Sequence, residues 1–249
     1  MTAEYFDQWF ADIAASAARQ RLFTECLGLP AEIEPSNLLP LDGLATVAQA
    51  LVVPEDGLLV DVACGRGGPG MWIARRARCH LTGVDFSPEA VAQASRRRVL
   101  FGLESKANFV VGKLNSVGLA DDIADAVMCI DAFQFADDAV AAAVELRRVL
   151  RPGGRIVLTS WEPVDRADEL ARARLRRVDL AGSLSAAGFQ AIEVTERADW
   201  HDVARRLWER SLTLDAAGDP ALESTRAEAV DSLRDHDRLR RVMATAVAP

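Results

Sequence analysis

Residues 58–70 read LLVDVACGRGGPG, and this stretch decides how the chain folds. A short apolar run ends in an acid, Asp61, a glycine-dense loop follows, and the next run, MWIARRA, has helical character. The pattern predicts a strand, a tight loop and a helix, because glycines let the backbone approach a bound nucleotide where a Cβ would clash. A second apolar run, HLTGV, ends in Asp85, at about the 20-residue spacing of an acid that binds a ribose diol. A plain turn between strand and helix is the alternative.

Four further segments follow the loop in order: LTGVDFSPEAVAQA, NFVVG, DAVMCIDAFQF and ELRRVLRPGGRIVLTSW. Together with an acid that precedes the glycines, they resemble the successive motifs of class I S-adenosylmethionine (SAM) dependent methyltransferases. The resemblance is strong over residues 55–161 and weak at both flanks. Within this family the chain is most similar to small-molecule methyltransferases of bacterial natural-product metabolism. A dinucleotide dehydrogenase fits poorly, because the acid stands before the glycines.

Strands and helices are predicted to alternate through the segment that carries the motifs. Such alternation indicates a parallel sheet with right-handed crossovers and helices on both faces. Together with the resemblance, it predicts an α/β fold, a doubly wound Rossmann-like sheet of seven mostly parallel strands with helical lid elements. The expected strands are 58–62, 80–84, 108–111, 125–130 and 155–160, and the expected helices are 68–77, 88–101 and 138–150.

The flanks are expected to be mostly helical. Apolar residues recur at helical spacing in 4–27 and 43–52, and the proline-rich segment GLPAEIEPSNLLPLDG between them predicts a linker or a wrapped loop. Beyond the core we expect helices at 178–187, 199–215 and 220–238, a strand at 189–196 and a last strand in RRVMATAVA. The chain is interpreted as a single methyltransferase domain (1–249), with an N-terminal helical cap (1–52), a SAM-binding core (55–161) and C-terminal strands and lid helices (162–249).

Composition narrows the class of protein. The 249 residues are 50% hydrophobic and 27% charged, which is typical of one soluble domain. The net charge of -8 disfavours nucleic acid as a partner, and the sequence has no apolar run of about 18 residues that would span a membrane. The four cysteines form no C-x-x-C pattern, so we expect no metal site and no disulfide. The acidic, aromatic start MTAEYFDQWF is unlike a signal peptide, and a cytoplasmic protein is expected.

The resemblance implies SAM as the cofactor and gives individual residues roles in binding it. Asp61 would steady the loop and the amino-acid end of SAM, Asp85 would accept hydrogen bonds from both ribose hydroxyls, and the end of the strand at 129–131 would meet the ammonium group. Phe86 would lie against the adenine face, with an ordinary core position as the alternative. The cofactor-binding set is Asp61, Ala63, Cys64, Gly65, Gly67, Asp85, Phe86, Leu114, Ile130 and Asp131. Among these, Cys64 is interpreted as a small packing residue rather than a reactive thiol.

One position departs from the family pattern. Relatives commonly carry an acid after the glycine that follows the third strand, where it accepts a hydrogen bond from the adenine amino group. This chain reads GKLNSVGL, so Lys113 stands at that position, and a lysine only donates. Because one hydrogen bond contributes about 0.5–1.5 kcal/mol, we expect weaker SAM binding unless Asn115 or Asp122 replaces the acceptor. The alternatives are that Lys113 turns into solvent or that cofactor use has changed.

The sequence offers few groups that would remove a proton from an acceptor. Relatives that methylate oxygen often place a histidine in the segment that reads AFQFADD here, where Gln134 stands. His201, at the start of an expected lid helix, and Asp131 are the candidate catalytic residues, although Asp131 would also suit the SAM ammonium. His80 is interpreted as structural, and His236, in the charged run RDHDR, as a solvated surface residue.

Aromatic side chains in the flanks predict an apolar acceptor pocket. Its expected members are Tyr5, Trp9, Gln134, Trp161 and Trp200, with core packing as the alternative for each aromatic. The first hypothesis is SAM-dependent methyl transfer to a small, apolar or aromatic metabolite that is the protein's small-molecule partner. The alternative is a methyltransferase-fold protein that keeps SAM as a structural ligand and performs other chemistry, such as cyclisation, or only binds a metabolite. The acceptor, its reacting atom and the oligomeric state are left open.

Overall fold

Seven strands form one sheet at the centre of the computed structural model, which describes residues 2–249. The strands are β1 (Leu58–Val62), β2 (His80–Asp85), β3 (Ala107–Val111), β4 (Ala124–Ile130), β5 (Leu150–Pro163), β6 (Gln190–Glu196) and β7 (Leu239–Val247). Their order is β3-β2-β1-β4-β5-β7-β6, and β7 runs antiparallel between β5 and β6. The predicted doubly wound sheet of seven mostly parallel strands is confirmed.

Helices cover both faces of the sheet. They are α1 (Ala3–Ala15), α2 (Ala17–Leu27), α3 (Leu41–Leu51), α4 (Gly68–Ala77), α5 (Pro88–Phe101), α6 (Ala139–Val149), α7 (Ala173–Arg176), α8 (Leu180–Ala186), α9 (Ala198–Thr213) and α10 (Pro220–Asp235). Successive strand residues point to opposite faces, so Leu59 joins the core beside α3 and α4 while Val60 joins the core beside α6 and α8. Both side chains are fully buried, as expected for a parallel sheet covered on both sides. None of the helices in this part of the chain is long and apolar enough to cross a membrane.

The boundaries of the core elements follow the local sequence closely. The helices predicted at 68–77 and 88–101 have the observed ends. Ser87 caps α5 by accepting a hydrogen bond from the Ala90 N–H at 3.1 Å, and Pro88 fills the first helical position. The strand predicted at 155–160 is longer, because β7 pairs with β5 from Arg155 to Pro163.

The flanking helices differ more from the sequence-based expectation. The single helical stretch predicted at 4–27 is broken at Ser16, which ends α1 and caps α2 through its hydrogen bond from Arg19 N–H at 3.1 Å. The helix predicted to reach residue 238 ends at Asp235, and a short 3₁₀ turn, His236–Arg238, leads into β7. The Ser16 cap therefore sets where α1 ends and α2 begins.

The proline-rich segment after α2 wraps over the sheet instead of hanging free. Ile33 and Leu39 within it are buried in the core. A Cβ on Gly68, at the start of α4, would lie only 1.8 Å from the Ile33 carbonyl oxygen, so glycine is needed for this close backbone approach. The segment thereby covers the carboxyl end of β1, where the strand order reverses and ligands bind in folds of this type.

Candidate functional site

A cavity of about 740 Å³ lies at the carboxyl ends of β1, β2, β4 and β5. Its walls come from the loops after these strands, from α1 and α2 in the N-terminal part, and from α7 and α10 in the C-terminal part. Its volume falls within the ~300–1,000 Å³ range of small-molecule sites. The cavity thus joins the motif-bearing core to the flanks that resemble the family least.

The glycine loop forms one wall of the cavity. Ala63 and Gly65 both have left-handed backbone conformations, with φ of 56° and 53°. A Cβ on Gly65 would lie 2.7 Å from Ser36 Oγ and 3.3 Å from the Phe10 ring, so this residue must lack a side chain. Cys64 lies between them, and burial raises the pKa of its thiol well above the ordinary value. Cys64 is therefore a packing residue and not a nucleophile.

Gly67 has a structural role that its place in the motif did not indicate. It is not part of the cavity wall, and it starts α4 with a φ of 74°. A Cβ there would lie 2.7 Å from the Phe109 ring and 3.2 Å from Ala94 Cβ, both on the core side. The expectation that Gly67 contacts the cofactor is corrected: this glycine allows α4 to pack on α5 and β3.

Two buried carboxyl groups lie behind the loop. Asp85, which is 4% exposed and lines the cavity, accepts hydrogen bonds from Gly65 N–H at 2.8 Å and Ser87 N–H at 3.0 Å. Burial raises the pKa of Asp85, and those N–H groups oppose the change. Asp61 accepts from Gly70 N–H at the start of α4, while burial and the neighbouring Asp85 raise the pKa of Asp61 well above its usual range. Each oxygen of Asp85 keeps a lone pair that a ligand hydroxyl would use.

The segment after β3 forms the wall next to Phe86. Gly112, Lys113, Leu114 and Asn115 all line the cavity. The Lys113 side chain is exposed, and within residues 2–249 its ammonium group forms no ion pair. Asp122 lies outside the cavity wall, at a surface depression beside Arg148. Asn115 is therefore the polar side chain of this segment that is placed to replace the expected acid.

Helix α1 forms the wall of the cavity next to Phe86 and Phe135. Tyr5 and Trp9 line it, and Phe6, which was not predicted as a pocket residue, lies 5.1 Å from the Phe86 ring and 6.0 Å from the Phe135 ring, centroid to centroid. Asp7 fixes this helix to the start of α5, where it accepts from the Ser87 hydroxyl and from the Glu89 N–H at 3.2 Å. The helical spacing of the apolar residues in 4–27 was the signal in the sequence that could have identified Phe6.

Asp131 is not available as a base. Its carboxylate receives hydrogen bonds from Arg241, from the Leu38 N–H at 3.0 Å and from the Thr159 hydroxyl at 2.7 Å. Burial alone would raise the pKa of Asp131, but the Arg241 charge and these hydrogen bonds outweigh it and hold the pKa below its usual value. The expectation of a catalytic Asp131 is corrected, because an ionised carboxylate with its lone pairs occupied is a poor proton acceptor.

The structure places His236, and not His201, at the cavity wall. His201 is not part of the cavity wall, and its Nε2 donates to the carbonyl oxygens of His236 and Leu239 at 3.1 and 3.0 Å. His236, expected to be solvated, is 1% exposed, lines the cavity and stacks on His201 with ring centroids 3.7 Å apart. Burial, followed by the neighbouring His201 and Arg205, lowers the pKa of His236 to about 4. His80, read as structural, is exposed at the start of β2.

Trp161 and Trp200 were both expected in the acceptor pocket, but only Trp161 lines the cavity. Trp161 lines the cavity and packs against Arg241, 4.8 Å from ring centroid to guanidinium carbon. Trp200 is fully buried in the core and is not part of the cavity wall, so its assignment to the acceptor pocket is corrected. Its ring lies beside Gly43, where an added Cβ would be 2.9 Å from it. Trp200 thus lies on the side of α9 that packs against α3.

Gln134 and Arg174 complete the wall on the side of α7. Gln134 lines the cavity, but its amide is engaged, donating to the Asp131 carbonyl oxygen at 2.6 Å and accepting from the Ser160 hydroxyl at 3.0 Å. Arg174, which the sequence reading missed, stacks on Phe135 at 4.4 Å from the ring centroid. Within residues 2–249 no group of three or more His, Cys, Asp or Glu side chains has an arrangement that would hold a metal ion.

Comparison with known proteins finds a family match within the core. Residues 60–158 match the family model described as a methyltransferase domain. A sterol 24-C-methyltransferase of Kluyveromyces lactis is 28% identical over 166 residues, which cover 60% of this chain and 45% of that enzyme. The chain spans about half the length of the curated relatives it matches first.

Solved structures share the fold. The cyclase SpnF superposes with a TM-score of 0.71 at 24% identity, over 83% of this chain and 79% of that one. Phosphoethanolamine N-methyltransferase 2 of Haemonchus contortus, solved with S-adenosylhomocysteine, superposes with a TM-score of 0.73 at 16% identity, over 92% of this chain and 57% of that one. At these identities the likeness concerns the fold alone.

Proposed function

Residues 60–158 match the family model of a methyltransferase domain, and from this match we propose that the protein is a class I, SAM-dependent methyltransferase that transfers a methyl group from SAM to a small, apolar or aromatic metabolite. The observation that carries the proposal is the cavity, which joins the glycine loop and Asp85 to a wall of aromatic side chains. We propose further that residues 1–52 and 162–249 act as cap and lid for the SAM-binding core at 55–161.

The residues around the loop fit the cofactor. Asp85 would accept from the ribose hydroxyls with the lone pairs that Gly65 and Ser87 leave free. Phe86 and Leu114 would pack on the two faces of the adenine, and the backbone at 63–65 would follow the methionine part. Asp61 would hold the loop in place through its hydrogen bond from the start of α4. The remaining members of the proposed set, Ile130 and Asp131, would offer backbone groups to the ammonium.

The acceptor would lie on the other side of the cavity. Tyr5, Trp9, Phe135 and Trp161 line that side, and their rings favour an apolar or aromatic molecule. A sterol is the substrate that the name of the Kluyveromyces lactis relative gives, and it is a molecule of this apolar kind. The acceptor's reacting atom is not specified by these side chains.

Methyl transfer places modest demands on the protein. When bound, SAM supplies a methyl group that its sulfonium has already activated. The walls would align the acceptor atom with the methyl–sulfur axis, and alignment of this kind lowers barriers by up to about 7–11 kcal/mol. Helix α1 would exclude water through its contacts with Phe86 and Phe135. Because Asp131 is neutralised by Arg241, alignment and desolvation would carry the reaction rather than proton abstraction by that residue.

A small-molecule acceptor is the proposed partner, without nucleic acid or membrane. The formal net charge of -8 suits this proposal, because phosphate backbones bind basic surfaces. The cysteines are all free thiols, and three of the four are buried. Free thiols of this kind suit a reducing compartment, and we propose the cytoplasm.

One experiment tests the function and its alternative. SAM and S-adenosylhomocysteine (SAH) are titrated calorimetrically, and the protein is then incubated with SAM and a panel of apolar and aromatic metabolites. The proposal expects binding of both ligands and a product heavier by one methylene unit in mass spectrometry. Tight binding with conversion of a metabolite but no mass gain would instead support SAM as a structural ligand. The match to a methyltransferase domain favours the first outcome.

A further inference from the structure

Arg174 on α7 lines the cavity without a charged partner of its own. Its guanidinium carbon lies 4.4 Å from the centroid of the Phe135 ring, on which it stacks. Within residues 2–249 no carboxylate lies within 4.0 Å of this guanidinium, and its Nε is buried without a hydrogen-bond partner. A guanidinium only donates hydrogen bonds, and a cation that is partly removed from water needs acceptors for them. The Arg174 side chain therefore has unused donors at the cavity wall.

The acids around Arg174 are held by another arginine. Glu228 on α10 is the acid whose charge acts on Arg174, but it pairs with Arg172 at 3.6 Å. Arg172 also pairs at 2.9 Å with Asp235, whose side chain is fully buried and is not part of the cavity wall. Burial lowers the pKa of Arg174, Glu228 opposes this change and Arg172 adds to it. The positive charge of Arg174 is thus available to an anion that enters the cavity.

Helix α7 places Arg174 on the acceptor side of the cavity. The helix packs against β5 and against the 3₁₀ turn Phe133–Phe135 that follows β4. The neighbouring residue, Leu175, is buried in the same apolar cluster as Trp161 of β5. Under the proposed function the cofactor lies on the other side, along the glycine loop and the loops after β2 and β3. An anion at Arg174 would therefore belong to the acceptor and not to the cofactor.

The aromatic rings on this side fit the remainder of such a molecule. Phe135 contacts Arg174 on one side and the Phe6 ring of α1 on the other, with the two ring centroids 6.0 Å apart. Phe6 in turn lies 5.1 Å from Phe86, beside the proposed adenine site. Apolar surface thus extends from Arg174 toward the place where the cofactor and the acceptor would meet.

We propose that Arg174 binds an anionic group of the acceptor, a carboxylate or a phosphate. The acceptor would then be an amphipathic molecule, with its apolar or aromatic body against the rings and its anion at α7. A guanidinium matches both anions in charge and in planar, forked geometry, and the hydrogen bonds between them are short and strong. The inference rests on the proposed function, and it deepens that function by naming the substrate class.

Such a contact would make Arg174 a specificity-determining residue. A neutral molecule of the same shape would displace water from the cavity and leave the donors of Arg174 without an acceptor. Sites that contain a polar group of this kind discriminate strongly against ligands that lack its partner. We therefore expect affinity to depend on the charge of the ligand and not only on its apolar area.

The test compares three probes that share an octyl chain: octanoate, octyl phosphate and 1-octanol. Calorimetric titrations use protein saturated with SAH, so that the cofactor side of the cavity is occupied. We expect the wild type to bind the tighter of the two anions at least about tenfold more tightly than 1-octanol. Arg174→Met should weaken that anion by about tenfold and leave 1-octanol within about twofold, and Arg174→Lys should recover part of the loss.

A control on the same helix separates an anion contact from a general effect of charge. Arg176 also lies on α7 but is not part of the cavity wall, so Arg176→Met should leave all three affinities unchanged. A preference for octanoate would identify a carboxylate on the acceptor, and a preference for octyl phosphate would identify a phosphate.

Three results would overturn the inference. They are equal binding of the anions and the alcohol by the wild type, equal weakening of all three probes by Arg174→Met, and unchanged anion affinity in a folded Arg174→Met variant. Failure of the wild type to bind SAH would instead remove the proposed function. The same probes are then titrated without SAH, and the same comparison decides whether Arg174 binds an anion.

Discussion

Arg241 on β7 donates two hydrogen bonds to Asp131 at the end of β4, with Nη1–Oδ1 at 2.6 Å and Nη2–Oδ2 at 2.9 Å. The Arg241 side chain is fully buried, and that of Asp131 is 9% exposed. The pair fixes the antiparallel strand to the cofactor edge of the sheet. The Arg241 charge also keeps Asp131 ionised, so Asp131 is a poor proton acceptor.

Asp131→Asn should lower the free energy of unfolding by about 3–5 kcal/mol, because it leaves Arg241 buried without a counter-charge. Urea denaturation measures this loss. Asp121→Asn is the matched control, because it breaks an ion pair with Arg148 in which the Asp121 side chain is 71% exposed, and it should cost less than about 1 kcal/mol. Similar losses in the two variants would contradict a stabilising role for the buried pair.

Asp85→Asn should weaken SAH binding by at least about tenfold, because an amide is a poorer acceptor for the ribose hydroxyls than a carboxylate. Calorimetry on the folded variant measures the change. Asp125→Asn serves as the control. Asp125 also accepts a hydrogen bond from a backbone N–H, that of Leu58 at 2.7 Å, but it lies at the amino ends of the strands, away from the cavity. Wild-type affinity in folded Asp85→Asn would sink the cofactor assignment.

Lys113→Asp should tighten SAH binding by a few-fold, since one new hydrogen bond to the adenine amino group contributes about 1 kcal/mol. The same calorimetric titration measures it. Lys106 is the other lysine of the chain and pairs with Asp56 outside the cavity, so Lys106→Asp should leave the affinity unchanged. Weaker binding by Lys113→Asp would mean that Asn115 already serves the adenine or that Lys113 itself contacts the cofactor.

His236 should make stability depend on pH. Its pKa falls from 6.5 to about 4 on folding, so the unfolded chain takes up the proton first as pH falls. The stability from the neutral imidazole is present above about pH 6.5 and is lost as pH falls toward 4. His236→Gln should therefore flatten the decline in urea midpoint between about pH 7 and pH 5. His80→Gln, at an exposed position, should keep the wild-type slope, and an equally steep decline in His236→Gln would refute the assignment.

Helix α1 should act as a lid that the cofactor orders. SAH should slow amide hydrogen exchange in residues 2–15 of the wild type, because α1 packs on Phe86 beside the proposed adenine site. Asp7→Ala should speed exchange without ligand, since it removes the contacts with Ser87 and Glu89. Asp12→Ala on the same helix removes only a bond to Gln8 and is the control. Equal exchange with and without SAH would exclude a lid.

Elements whose causes are local could be predicted from the sequence alone. The strand, glycine loop and helix at 58–77 follow from residues within a few positions of one another, and Ser87 with Pro88 sets the start of α5 in the same way. Hydrophobic alternation then fixed the order of strands and helices, from which the position of Asp85 at a strand end followed.

Which flanking side chains reach the cavity depends on tertiary packing and could not be predicted. Asp131 and Arg241 are far apart in sequence, and neither local pattern contains the other's charge. Trp200 and His201 were expected near the acceptor and His236 on the surface, but in the folded chain Trp200 is buried in the core and His236 lines the cavity. The burial of Arg19 without an ion-pair partner in residues 2–249 could not be predicted from the sequence, because it depends on how α1, α2 and α10 pack together. Burial and charge pairing are sums over distant neighbours, and these exist only once the chain has folded.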